Sequence, residues 1–191
     1  MKKFFYFFIP LLFILSCTKE ENANLAPDRI ENDDVTETFV KILSKAVCSN
    51  VDLRNFLKNE ALVQFDKDYD VFYPLEKGKK INDDKTFREC LLEDSDEPTL
   101  RQIEKQKPLL DILIPDWSWI KAFDVHSWNT ISNDVLVGFV NNHGEHVVYE
   151  NGNKCGILDK GVFLCSPILI VKDCERMKIT RNDITNQTGG G

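Results

Sequence analysis

Val135-Leu136-Val137-Gly138-Phe139-Val140, then Asn141-Asn142-His143-Gly144, then His146-Val147-Val148-Tyr149 and Asn151-Gly152 form two short apolar runs, each followed by turn residues. Branched and aromatic side chains favour a pleated, half-buried strand, and Asn and Gly tolerate the positive φ of a tight reversal. The pattern predicts two strands joined as an antiparallel hairpin. Residues 109–114, 162–165 and 167–171 have the same branched apolar character, and Asp159-Lys160-Gly161 supplies another turn.

Upstream, the apolar period lengthens from two residues to 3.6. Phe39, Ile42, Leu43, Ala46 and Val47 lie on one face of a predicted helix capped by Thr36 or Thr38. Leu53, Phe56, Leu57, Ala61 and Phe65 make the face of a second, with Asp52 as its expected N-cap. Val71-Phe72-Tyr73 before Pro74 reads as a short extended piece, and residues 78–84 as a charged turn. Residues 86–93 and 98–107 read as a third and a fourth helix, with Pro98 suited to a first turn and Pro108 ending the last. Helices first and strands second predict an α+β domain, its helices packed on one face of a mostly antiparallel sheet.

The first residues address a different question. Lys2 and Lys3 precede an unbroken apolar run of 12 residues, Phe4 to Leu15, that ends in Ile14-Leu15-Ser16-Cys17. A run of this length fits the apolar core of a secretory signal, about 7 to 15 residues, and falls short of the roughly 20 that span a bilayer. Small Ser16 before Cys17 is suited to cleavage, and the thiol to a lipid. In these residues the chain resembles bacterial lipoproteins, with Ile14 where Leu is commoner. Thr18-Lys19-Glu20-Glu21 is similar to the lysine-plus-acidic export tag, here Lys19, Glu20 and Glu21, that follows the lipidated cysteine in surface-displayed lipoproteins of Bacteroidota-type outer membranes. The resemblance implies an outer-membrane, cell-surface protein held by a lipid on Cys17, without a transmembrane helix.

A second resemblance is to an uncharacterised N-terminal module of such lipoproteins. Its bearers are Glu60-Ala61-Leu62-Val63-Gln64-Phe65-Asp66-Lys67-Asp68-Tyr69-Asp70-Val71, Pro108-Leu109-Leu110-Asp111-Ile112-Leu113-Ile114-Pro115 and Pro167-Ile168-Leu169-Ile170-Val171. It implies an ordered domain and carries no catalytic residue across.

The expected organisation is a signal peptide over 1–16, the lipidated cysteine and a flexible acidic tether over 17–34, one α+β domain over 35–181, and a disordered tail or linker over 182–191. The tail ends in Thr188-Gly189-Gly190-Gly191, a natural end, an expression scar or the start of a linker to a further domain. Formal charge is -7. Cleavage at Cys17 would remove Lys2 and Lys3 and leave 22 basic against 31 acidic residues. Such a chain repels nucleic acid, which is not an expected partner. The expected partners are the membrane, through Cys17, and an extracellular glycan or protein.

Four constellations bear chemistry. Asp66, Asp68 and Asp70 have the spacing of the first ligands of a calcium loop, but Val71 stands where that loop needs Gly and Lys77 where it needs Glu, so exposed carboxylates are the plainer reading. His143, Glu145 and His146 lie close together, and with His126 as a further ligand they define the alternative to a binding module, a metal-assisted hydrolase. Solvent-facing turn residues are the competing identity. Trp117, Trp119 and Trp128 are a sugar platform if exposed and core if buried. Beyond Cys17 the cysteines are Cys48, Cys90, Cys155, Cys165 and Cys174, an odd set in which Cys155 and Cys165 are the first disulfide candidates and small buried thiols the alternative. Nucleophile-elbow, phosphate-loop and catalytic-cysteine motifs are missing from the sequence, and no cofactor is expected.

Overall fold

The computed structural model describes residues 32–64, 68–118, 123–158 and 167–174. Helices α1 (Asn32–Ser49) and α2 (Val51–Leu62) are followed by strand β1 (Asp70–Phe72), the short helices α3 (Tyr73–Glu76) and α4 (Phe87–Leu92), and α5 (Glu97–Gln106). Strands β2 (Leu110–Leu113), β3 (Leu136–Val140), β4 (His146–Glu150), β5 (Asn153–Leu158) and β6 (Ile168–Asp173) follow among the described residues. The strands form one six-stranded sheet in the order β1-β2-β6-β3-β4-β5. Every pairing is antiparallel except β3 with β6. The protein is thus an α+β domain with its helices on a mostly antiparallel sheet.

The period of two sorts each strand into two faces. Val71, Leu110, Ile112, Val137, Phe139, Val147, Tyr149, Leu169 and Val171 share one buried cluster with Phe39, Leu43, Val47, Leu53 and Leu57 from the helices. Inside it the rings of Phe39, Tyr73, Phe87 and Phe56 meet edge to face or tilted, at centroid separations of 5.1 to 5.6 Å. The opposite face carries Asp70, Phe72, Asp111, Leu113, Ile168, Ile170, Lys172, Gly138 and Val148 by register. Ile168 and Val148 are only 1% and 3% exposed, yet neither belongs to the helix-side cluster.

Local signals act where their chemistry is local. Asn151 and Gly152 both take positive φ, 45° and 77°, and turn β4 into β5. Thr86 and Glu89 form a reciprocal capping box on α4, and Asp96 caps α5, whose first turn contains Pro98.

Several boundaries differ from the sequence reading. α1 begins at Asn32, inside the stretch assigned to the tether and ahead of Thr36 and Thr38. Asn50, not Asp52, caps α2 by accepting from the Leu53 N–H at 3.0 Å, while Asp52 accepts from Asn82. Tyr73 opens a helical turn that the extended reading of Val71-Phe72-Tyr73 does not contain, with Pro74 in its first turn, where no donor is needed. β5 is a strand that the apolar pattern of the sequence does not predict.

Candidate functional site

Among the described residues a cleft opens where the helical layer meets the β4–β5 turn. α1 ends at Ser49, leaving carbonyls that the helix itself cannot satisfy. The Arg54 guanidinium, carried on α2 and 4% exposed, donates to the carbonyls of Val47 and Cys48 and also to those of Thr130 and Ile131. One buried cation therefore closes the end of α1 and pins the approach to β3 beside it. From the sheet side, the Gly152 N–H donates to the Ser44 hydroxyl at 2.8 Å. A Cβ at Gly152, where φ is 77°, would come within 2.5 Å of the Lys45 side chain, so glycine lets the turn seat on α1 without displacing that side chain.

Between these two ties opens a cleft of about 430 Å³ lined by Cys48, Ser49, Asn133, Asp134, Glu150 and Asn151. Its lining presents two carboxylates, two amides, a hydroxyl and a thiol, a set suited to hydrogen-bonding a small polar ligand. The Ser49 hydroxyl lies within hydrogen-bonding distance of the Lys45 and Ala46 carbonyls and is turned into its own helix. The Cys48 thiol lies 3.4 Å from the Asn133 carbonyl. Cys155 approaches the same wall, its Sγ 4.0 Å from Glu150 Oε2 and 3.5 Å from the Asn153 carbonyl. Partial burial pushes the Cys155 thiol up and the nearby Glu150 carboxylate adds to it, against a backbone hydrogen bond at Glu150 that pulls the other way.

A second constellation lies on the other face of the sheet. The register sets Asp111 opposite Phe72 of β1 and Lys172 of β6, with Asp70 two residues along on the same face. Asp111 is 4% exposed, and its Oδ1 is buried with no hydrogen-bond partner. Burial first, then the charge and hydrogen bond of Asp70, push the Asp111 carboxyl up to about 6, against the opposing pull of Lys172. Two carboxyls facing one another in a buried setting resist ionising together, so Asp111 takes up its proton at a higher pH than an ordinary aspartate does.

The residues singled out from sequence fall elsewhere. His143 is in the exposed β3–β4 turn, where the Asn141 side chain accepts the N–H groups of His143 and Glu145. His146 opens β4 on the face opposite the helices. His126 is exposed against Tyr69, with Nε2 3.1 Å from the tyrosine oxygen and its carbonyl on Lys58. Tyr69 adjoins edge strand β1, three strands from β3 and so roughly 14 Å across the sheet. The structure does not bring His126 to His143 and His146, and the third ligand that the metal reading needs is not supplied by it. Among the described residues no three of His, Cys, Asp or Glu are grouped to hold a metal ion.

Asp70 is drawn into β1 toward Asp111, and Asp68 is exposed before it, with Tyr69 between them at a φ of 50°. Trp128 is 2% exposed and packs edge to face on Phe123, which makes it core and removes it from a sugar platform. Trp117 is half-buried, its N–H donated to the Phe123 carbonyl. Cys90 is buried; its burial first, then the charge of Glu93, raise the thiol to about 11, against the opposing hydrogen bond that the Asn50 amide donates to its sulfur. Cys17, Lys19, Glu20, Glu21, Asp66, Trp119 and Cys165 lie outside the described residues, and so does any pairing of Cys155 with Cys165.

Set against family models, curated proteins and solved structures, the chain matches none.

Proposed function

We propose that this chain is a bacterial outer-membrane lipoprotein, anchored by a lipid on Cys17 and facing the cell surface, whose α+β domain is a noncatalytic binding or spacer module akin to the N-terminal module it resembles. The observation that carries this reading is the apolar run from Phe4 to Leu15 closing on Ser16-Cys17 behind Lys2 and Lys3. Lys19, Glu20 and Glu21 support the surface address. The cleft beside α1 supports a binding role, because Asn133, Asp134, Glu150 and Asn151 offer the carboxylates and amides that hydrogen-bond a hydroxyl-rich ligand such as a glycan, or the polar groups of a protein.

The test compares the full chain with Cys17→Ser in a bacterial host that processes lipoproteins. Intact mass, membrane fractionation and protease accessibility on whole cells are read together. A lipid-bearing chain that starts at Cys17, with membrane association lost in the variant, is the expected result. Equal, unlipidated and soluble material from both would overturn the anchor and, with it, the surface role.

A further inference from the structure

We infer that Cys48 and Cys155 form a disulfide across the wall of the cleft when the protein is oxidised, tying the end of α1 to edge strand β5. Both thiols address the same group of residues. Cys48 lines the cleft together with Glu150 and Asn151, and Cys155 Sγ lies 4.0 Å from Glu150 Oε2. Lys45, one helical turn before Ser49, and Ser44 already pack on the β4–β5 turn, so the last turn of α1 and the start of β5 are held side by side.

The other described thiols have different surroundings. Cys90 is buried beneath Asn50, and Cys174 follows β6, near Asp111 and Asp70. Among the described cysteines, Cys48 and Cys155 are therefore the two that share a neighbourhood.

Backbone and electrostatics both permit closure. Among the described residues β5 is an edge strand paired with β4 alone, and its pairing slips between Val148 and Tyr149, next to Cys155. A bulged edge adjusts at little cost, which a disulfide needs because its geometry is narrow. The ionised form of Cys155 is disfavoured by partial desolvation of the thiol and by the Glu150 carboxylate beside it. A thiol whose ionised form is disfavoured is a slow nucleophile and a poor leaving group, so once formed the bond exchanges slowly. It is thus a structural crosslink and not a reactive redox centre.

The oxidant is a thiol–disulfide carrier, RS–SR. One cysteine thiolate attacks it and releases RS⁻; the second thiolate attacks the mixed disulfide, forms Cys48–Cys155 and releases another RS⁻. The two cysteine protons leave on two RSH, and two electrons pass to the carrier. Export to an oxidising compartment would supply such a carrier, but the chemistry does not depend on the lipid anchor.

The experiment uses the full chain, divided between oxidised glutathione and a phosphine reductant, with peptide mass mapping under non-reducing conditions and a thermal melt of each. A linked Cys48–Cys155 peptide is expected, together with a melting temperature at least about 5 °C above the reduced form, because the crosslink closes a loop of roughly 100 residues. Cys155→Ser, at an exposed position, should fold as the reduced protein does and lose that difference. Cys155 linked to Cys165, Cys155 remaining a glutathione adduct, or free Cys48 and Cys155 after oxidation would each overturn the inference.

Discussion

Replacing Asp111 with Asn should stabilise the protein at neutral pH and leave it nearly unchanged in acid. The wild-type carboxyl is raised from 3.8 to about 6, by burial first and by Asp70 second. A group held above its unfolded value contributes stability that is complete below pH 4 and is lost as pH rises through 6. Above pH 7 the folded chain must keep both Asp70 and Asp111 ionised, or hold a proton against the solvent. At 1.36 kcal/mol per pH unit the rise corresponds to about 3 kcal/mol, and partial solvent access to the pair reduces the expected penalty to about 2 kcal/mol. Asn is isosteric, and its amide donates to Asp70 permanently, as the protonated acid does only at low pH.

Urea unfolding followed by tryptophan fluorescence, at intervals from pH 4 to pH 8, gives the two stability curves. Other carboxylates slope the opposite way. Glu97, bonded by Arg88 and Arg101, is held down to about 2, and Glu104 is lowered by hydrogen bonds from Arg88, Tyr73 and Lys77 that outweigh its burial. Those groups lose stability as pH falls, so the wild-type curve alone does not isolate Asp111. The difference between variant and wild type does, because the shared groups cancel. That difference should grow from near zero at pH 4 to about 2 kcal/mol at pH 7.5. A difference that stays flat across this range, or a variant less stable at pH 7.5, would refute the raised Asp111 carboxyl.

Two further substitutions probe the ties on either side of the cleft. Arg54→Met keeps much of the side-chain volume but leaves the carbonyls of Val47, Cys48, Thr130 and Ile131 without their donor, and should cost about 3 kcal/mol in urea unfolding. A loss under 1 kcal/mol would mean that water replaces the guanidinium freely. Gly152→Ala meets both a φ of 77° and the Lys45 side chain, and should cost about 1 to 2 kcal/mol; Lys45→Ala in the same background should recover part of it, and no recovery would remove the steric half of the account.

What the sequence made legible was the chemistry confined to neighbouring residues. Asn151-Gly152 and Asn141 to Gly144 were readable as turns because their φ preferences do not depend on the rest of the chain. Thr86 and Pro98 marked helix starts for the same reason. The misread boundaries are places where one local signal has two meanings. Asn32-Asp33-Asp34 looks like an acidic tether, yet acidic residues also favour the first turn of a helix, and there α1 begins. β5 is not legible because Asn153-Lys154-Cys155-Gly156 lacks apolar alternation, which an edge strand exposed along most of its length does not need. The carboxyl pair was hidden for a different reason: Asp70 and Asp111 meet only through the register of β1 on β2. Its one trace in the sequence is a charge in the middle of the apolar run 109–114, where a strand buried on both faces would exclude it.

The cleft has the same non-local origin, and this bears on how it would act. Cys48 and Ser49 come from α1, Asn133 and Asp134 from the approach to β3, and Glu150 and Asn151 from the β4–β5 turn. Two of those three walls hang from α1: the first through the Arg54 guanidinium, the second through the Ser44–Gly152 hydrogen bond. A ligand spanning the walls would therefore stiffen the seam between helices and sheet, and loosening either tie would weaken ligand binding before it unfolded the core, since the aromatic cluster of Phe39, Tyr73 and Phe87 lies elsewhere along α1. Stability and binding are separable here by position: Asp111 lies on the far face of the sheet and should change stability while leaving the cleft as it is, whereas Gly152→Ala should change both.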